Sequence, residues 1–206
     1  MAKYNTAVIA LIMIGIIAAM GLFAPKPMGG YHTLYDTAPT GQVNLSIGES
    51  LSITLIDKLV DFGTGHVAPN NGSAVIDSAV ASAGDNWTSS APGVDGWPGL
   101  TDYMTLENNG NVDANVVIAA GSDAATFIGG SSPAQNYEGA ENESGSCTGS
   151  LQSSYAALTT GQTNLCSSLA FGDSADALNI FFKLTVPSDA TPTQKTNTIT
   201  FTGTKA

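Results

Sequence analysis

The hydrophobic pattern of the chain changes period once. From Ala7 to Ala24 the run AVIALIMIGIIAAMGLFA carries no charged or polar side chain, so a helix there is apolar on every face. Such a helix spans roughly 27 Å at ~1.5 Å per residue, close to a ~30 Å hydrocarbon core. The next six residues, PKPMGG, hold two prolines and two glycines and end it. Beyond them apolar and polar residues alternate: Val43, Leu45 and Ile47; Leu51, Ile53 and Leu55; Met104 and Leu106; Val112 to Ile118; Leu178, Ile180, Phe182, Leu184 and Val186; Ile199 and Phe201. A period of two predicts half-buried strands.

Between these runs lie clusters such as VAPNNGS, SSAPGVDGWPG and GGSSPAQ, which are turn and loop chemistry. After residue 30 only a short turn around Ser153 to Leu158 qualifies as helical. The predicted chain is mainly β: a hydrophobic helix over 1–24, a hinge over 25–30 and one antiparallel β-sandwich ectodomain over 31–206.

Two local stretches refine this. TLENNGNVDANVVI groups Glu107, Asn108, Asn109, Asn111 and Asp113 around Gly110. An EF-hand calcium loop needs glycine at its sixth position and a bidentate Glu at its twelfth, but here the twelfth position from Glu107 is Ile118. Asn109-Gly110 is instead a favoured pair for a tight type I′ hairpin turn. The ending FFKLTVPSDATPTQKTNTITFTG reads as a strand, a polar connection and a strand, the closing hairpin of the sandwich.

The apolar run admits two readings. Retained, it is a membrane span or the core helix of an assembly, where Gly15 and Gly21 permit close helix approach. Removed, it is a secretory signal preceded by Lys3, with Leu22-Phe23-Ala24 as the best cleavage candidate. Both export the remainder. Cys147 and Cys166 suit an oxidising compartment and are expected to pair. Sequons at Asn44, Asn71, Asn86 and Asn142 are candidate glycosylation sites.

Composition removes one class of partner. Charged residues are 11% of the chain, against about 25% in ordinary domains. The net charge is -11, all six basic residues are lysines, and none are neighbours in sequence. Nucleic acid binding needs clustered cations, so no nucleic acid partner is expected. Such acidity keeps copies soluble and mutually repelling.

Candidate chemistry is sparse. Glu138, Glu141 and Glu143 form the densest acidic stretch, read as a solvated loop, and Asp173 and Asp176 as Asx partners in a turn. His32 and His66 are the only histidines, and no G-x-S-x-G, H-E-x-x-H, P-loop or dinucleotide fingerprint occurs. No enzyme, cofactor or metal site is expected. Trp87 and Trp97 flank SSAPGVDG, either anchoring that loop or offering rings to a glycan or host surface.

The run ENNGNVDANVVI resembles the N-x-G-N-x-x-A-x-V-x-V element of immunoglobulin-like sandwich domains in archaeal and bacterial surface proteins, including camelysin and TasA-like matrix-fibre subunits. LTVPSDATPTQKTNTITFTG is similar to the last hairpin of such domains. The layout of apolar helix, hinge and β-domain also resembles archaeal type IV pilins and archaellins, although the residues ahead of the helix depart from their processing pattern. These resemblances imply an immunoglobulin-like sandwich in a subunit that polymerises with copies of itself into a filament or pilus. A membrane-anchored adhesion domain is the alternative expectation.

Overall fold

The structure, a computed structural model, describes residues 42–206. The chain divides into two units, Met1–Leu45 and Ser46–Ala206, and every strand among the described residues lies in the second. The apolar run, Gly15, Gly21 and the hinge fall outside the described residues. Among the described residues no helix is long and apolar enough to cross a membrane.

The described chain is mainly β, in antiparallel sheets. One sheet contains β1 (Ile53–Asp57), β3 (Ser73–Asp77), β5 (Met104–Asn108), β7 (Ala134–Glu141), β8 (Ala156–Ala157) and β10 (Ala177–Pro187). Its order is β1-β5-β10-β7-β8, with β3 also pairing with β10. A three-stranded sheet runs β11 (Ile199–Lys205), β6 (Ala114–Ala120), β9 (Thr163–Leu169), and a ribbon joins β2 (Thr64–Val67) to β4 (Trp87–Ala91).

Alternation explains how the two larger sheets meet. Along β6 every second residue, Ala114, Val116, Ile118 and Ala120, is buried, and β10 buries Leu178, Ile180 and Phe182 in the same rhythm. These residues join Leu106, Tyr137, Leu165, Cys166 and Leu169 in one core shared by both sheets. A smaller cluster of Ile76, Trp97, Ile128 and Leu184 extends it, with Phe62 packed against both. At ~25 cal/mol per Å² of apolar surface, such burial is the main stabilising term of the fold.

Four sequence expectations need correcting. Val43, Leu45 and Ile47 lie in no strand: they are 99%, 83% and 78% exposed, because alternation alone cannot make a strand without a hydrogen-bonding neighbour. Asn109-Gly110 is no hairpin turn, since β5 and β6 belong to different sheets and the chain there crosses between them. The closing hairpin fails for the same reason: β10 pairs with β3, β5 and β7, whereas β11 pairs with β6.

The helical turn is also elsewhere. Residues 153–158 supply β8, and the one helix among the described residues is α1 (Ala124–Phe127). Its N-cap is Asp123, whose carboxylate accepts the Thr126 N–H at 2.8 Å.

Candidate functional site

The stretch from Asn108 to Asp113 is a polar clamp. Asn108 is fully buried; its amide nitrogen donates to Val112 O at 3.0 Å and Leu169 O at 3.1 Å, and its Oδ1 accepts the Gly110 N–H at 3.1 Å. Asn111 reaches the start of the described chain: its Oδ1 accepts the Ser50 N–H at 2.6 Å and its Nδ2 donates to Gly48 O at 2.9 Å. Its own N–H donates to Ser50 O at 2.8 Å.

Gly110 lacks the left-handed φ that a type I′ turn requires; its role is close approach, because a Cβ there would stand 2.5 Å from Ser50 O. Of the oxygens that suggested a ligand set, the amide oxygens of Asn108 and Asn111 are spent on the protein's own backbone and Asp113 Oδ2 accepts from Ser168 Oγ at 3.3 Å. Among the described residues no group of three or more His, Cys, Asp or Glu side chains is placed to hold a metal ion.

Sheet edges are the second feature of note. Outside β9 runs the segment 147–152, with Thr148 N to Ser168 O at 2.9 Å, Gln152 N to Leu165 O at 2.9 Å and Ser167 N to Ser150 O at 3.1 Å. The Cys147–Cys166 disulfide, expected from sequence, staples that cover in place. At the other end of the same sheet β11 pairs with β6 through all seven of its residues. Among the described residues no backbone hydrogen bond reaches its outer edge.

A group of titratable side chains gathers on β3, β7 and β10 and at Tyr155, just before β8. Lys183 sits opposite Asp77 in register, and its ammonium is 2.9 Å from Asp77 Oδ2 and 3.7 Å from the centre of the Tyr155 ring. Tyr155 donates its hydroxyl proton to Asp77 Oδ1, which also accepts the Ala79 N–H at 3.0 Å. Burial, then the Asp77 hydrogen bond and the charges of Asp77 and Glu138, push the Tyr155 phenol far up, so it stays protonated. Beside the group is a cleft of about 170 Å³ lined in part by Val75, Asp77, Asp85 and Lys183. Every charge in the Lys183–Asp77 pair is met by the protein, which makes the group a cross-strand brace rather than an acid-base pair.

Sequence reasoning missed this group because β3 was not seen as a strand. Only the register of β3 on β10 brings Asp77 to Lys183.

The acidic stretch 138–143 is divided by the strand period. Glu138 lies beside Tyr155 and Lys183, whereas Glu141, at the end of β7, accepts the Gly145 N–H at 3.0 Å and the Cys147 N–H at 3.2 Å. Glu143 accepts the Asp176 N–H at 3.0 Å. Asp176 is buried instead of turning at the surface, and the turn before it is made by Ala175 N to Gly172 O at 2.7 Å. Asp173 stays exposed, as does His66 on β2.

The two tryptophans differ. Trp97 is fully buried, donates its indole N–H to Asp77 O at 3.0 Å and Val80 O at 2.9 Å, and meets Phe62 edge-on at 5.1 Å. Its ring is unavailable for stacking on a ligand. Trp87 is half-buried, and the exposed apolar residues of that loop are Val94 and Leu100. Among the sequons, Asn44, Asn86 and Asn142 are exposed; Asn71 is half-buried with its amide nitrogen donating to Ala68 O and Pro69 O, both at 3.2 Å.

No family model, curated protein or solved structure matches this chain.

Three carboxyls set the pH response. Asp102 is raised by burial first, then by Asp95 and Asp57; Glu138 by burial, then Asp77; Asp176 by burial, then Glu107 and Glu143. A carboxyl whose pKa is raised on folding binds its proton more tightly in the native state. Its contribution is therefore gained as pH falls through the folded pKa and lost as pH rises above it. Asp123 and Asp189, lowered by hydrogen bonds from Thr126 and Ser131, lose their contribution only below the ordinary value of 3.8. Thermal melting should therefore show the midpoint rising as pH falls from neutral toward the ordinary carboxyl values, 3.8 for Asp102 and Asp176 and 4.5 for Glu138. Asp102→Asn and Asp176→Asn should flatten that slope, and a midpoint that falls over this range would contradict the assignment.

Proposed function

We propose that this chain is an exported structural subunit of an extracellular filament, pilus or other cell-surface assembly, joined to copies of itself through its N-terminal segment. In this reading the two sheets form an immunoglobulin-like sandwich that serves as the repeating body, and no catalytic step or cofactor is involved. The observation that carries it is the exposure of Val43, Leu45 and Ile47 in an alternating, uncharged run that lies in no strand. An alternating apolar strand without a sheet is what strand addition to a neighbouring domain requires. The sparse cations and the exposed Asn44, Asn86 and Asn142 sequons suit an extracellular, glycosylated surface.

The test is assembly itself. Full-length protein should form polymers visible by electron microscopy, and deletion of residues 42–48 should leave a folded monomer in sedimentation, melting only slightly lower for loss of the Gly48 O contact with Asn111. Polymers that persist in the deletion variant would assign assembly to another segment, such as the apolar run. The alternative, a membrane-anchored adhesion domain binding a glycan or host protein, now rests on Trp87, Val94 and Leu100, because Trp97 is buried.

A further inference from the structure

We propose that the acceptor for residues 42–48 is the outer edge of β11 in a second copy of the chain. The proposal rests on the subunit reading above and adds to it the surface that receives the strand.

The choice follows from comparing the end strands of the two larger sheets; β3 is bridged at Val75 by Asp85, and β2 and β4 form only a short ribbon of four and five residues. An uncovered edge presents unpaired N–H and C=O groups and templates another strand, unless it is short, bulged, charged or covered. β8 has two residues, too few to template a strand. β1 has an irregular register between Leu55 and Asp57 and is followed by Lys58, so its edge is both bulged and charged. β9 is covered by 147–152 under the disulfide. Among the described residues β11 has none of these protections over most of its length: its pairing with β6 is unbroken from Ile199 to Lys205, and Lys205 is its only charge.

The two partners also match in size and chemistry. Residues 42–48 extend over about 23 Å at ~3.3 Å per residue, equal to the seven residues of β11. Alternation turns Val43, Leu45 and Ile47 to one face, and the apolar residues at the β11 edge, Ile199 and Phe201, are only partly buried. Ile53 of β1 borders the same side, since a Cβ on Gly203 would lie 3.2 Å from Ile53 Cδ1. Gln42, Asn44 and Ser46 then line the opposite face, and no charge is brought onto a body whose copies repel one another. The added strand makes a four-stranded sheet.

Cysteine pairs test the contact. Facing residues on adjacent strands have Cβ atoms about 4.5–5.5 Å apart, close enough for a disulfide with small adjustment. Asn44→Cys is combined in the full chain with Thr200→Cys, Thr202→Cys or Thr204→Cys, with Thr54→Cys on β1 as the competing edge, and polymers are oxidised and run without reductant. Mixing isotopically labelled and unlabelled chains distinguishes linkage between copies from linkage within one. Asn44→Ser controls for loss of the sequon, and an unchanged melt shows that each variant is folded.

The expected result is a ladder of multimers, linked between copies, from at least one β11 position and none from Thr54. Polymers that require residues 42–48 but link at Thr54, or at no β11 position, overturn the acceptor while leaving the subunit reading intact. Linkage within a single chain overturns it equally. Full-length protein that never polymerises overturns both, whereas polymers that persist without residues 42–48 overturn the acceptor and leave the subunit reading, with assembly assigned to another segment.

Discussion

Replacing Trp97 with alanine should lower the unfolding free energy by roughly 3–5 kcal/mol, the range for removing a large buried aromatic side chain. Two losses combine. The indole leaves a cavity among Phe62, Ile76, Ile128 and Leu184, and the carbonyls of Asp77 and Val80 lose their shared donor. Urea unfolding followed by circular dichroism checks the size, since most small domains hold only about 5–15 kcal/mol in reserve. Trp97→Phe separates the two losses: it keeps a ring in the cluster, leaves Val80 O unmet and Asp77 O with only the Val80 N–H at 3.4 Å, at a cost of about 1–3 kcal/mol. A shift below about 1 kcal/mol for the alanine variant would contradict the anchoring role given to this residue.

Removing the disulfide should cost about 3 kcal/mol in the chain-entropy account for a crosslink of this span. Cys147 and Cys166 are 19 apart in sequence, and Cys166 is fully buried in the shared core. The variant Cys147→Ala with Cys166→Ala retains apolar side chains at both places, so most of the change reports on the crosslink. A second effect should accompany it. Without the staple the 147–152 cover opens more readily, exposes the β9 edge and gives irregular aggregates that sedimentation detects well below the melting midpoint. Unchanged stability on reduction of the native protein would contradict this account.

How much of this could be read from sequence depends on what each strand turns inward. β10 and β6 were legible because their inward positions are Leu, Ile, Phe and Val. β7 was not, because its inward residues are Gln135, Tyr137 and Gly139. Gln135 is tolerated there because its Nε2 donates to Ser122 O at 2.8 Å and its Oε1 accepts from Asn197 Nδ2 at 2.9 Å. β9 escaped notice for another reason: register shifts in its pairing with β6 put Leu165 and Cys166, adjacent in sequence, both in the core. The period of two is broken there.

The connections were misread because turn chemistry is local and sheet membership is not. Asn109-Gly110 has hairpin composition, yet the chain on either side of it belongs to two sheets. The same limit hid the Asp77–Tyr155–Lys183 group, which depends on pairings among residues 73–77, 134–141, 156–157 and 177–187. The disulfide needed no such knowledge, as only two cysteines exist.

The clamp around Asn111 acquires a mechanical meaning if the segment before β1 is held by a neighbour. Tension along that segment enters the domain at Gly48 and Ser50, where three hydrogen bonds to Asn111 of 2.6, 2.9 and 2.8 Å share the load. Asn111 lies in the crossing between β5 and β6, one strand from each sheet, so the pull is divided between both halves of the core instead of peeling β1 away alone.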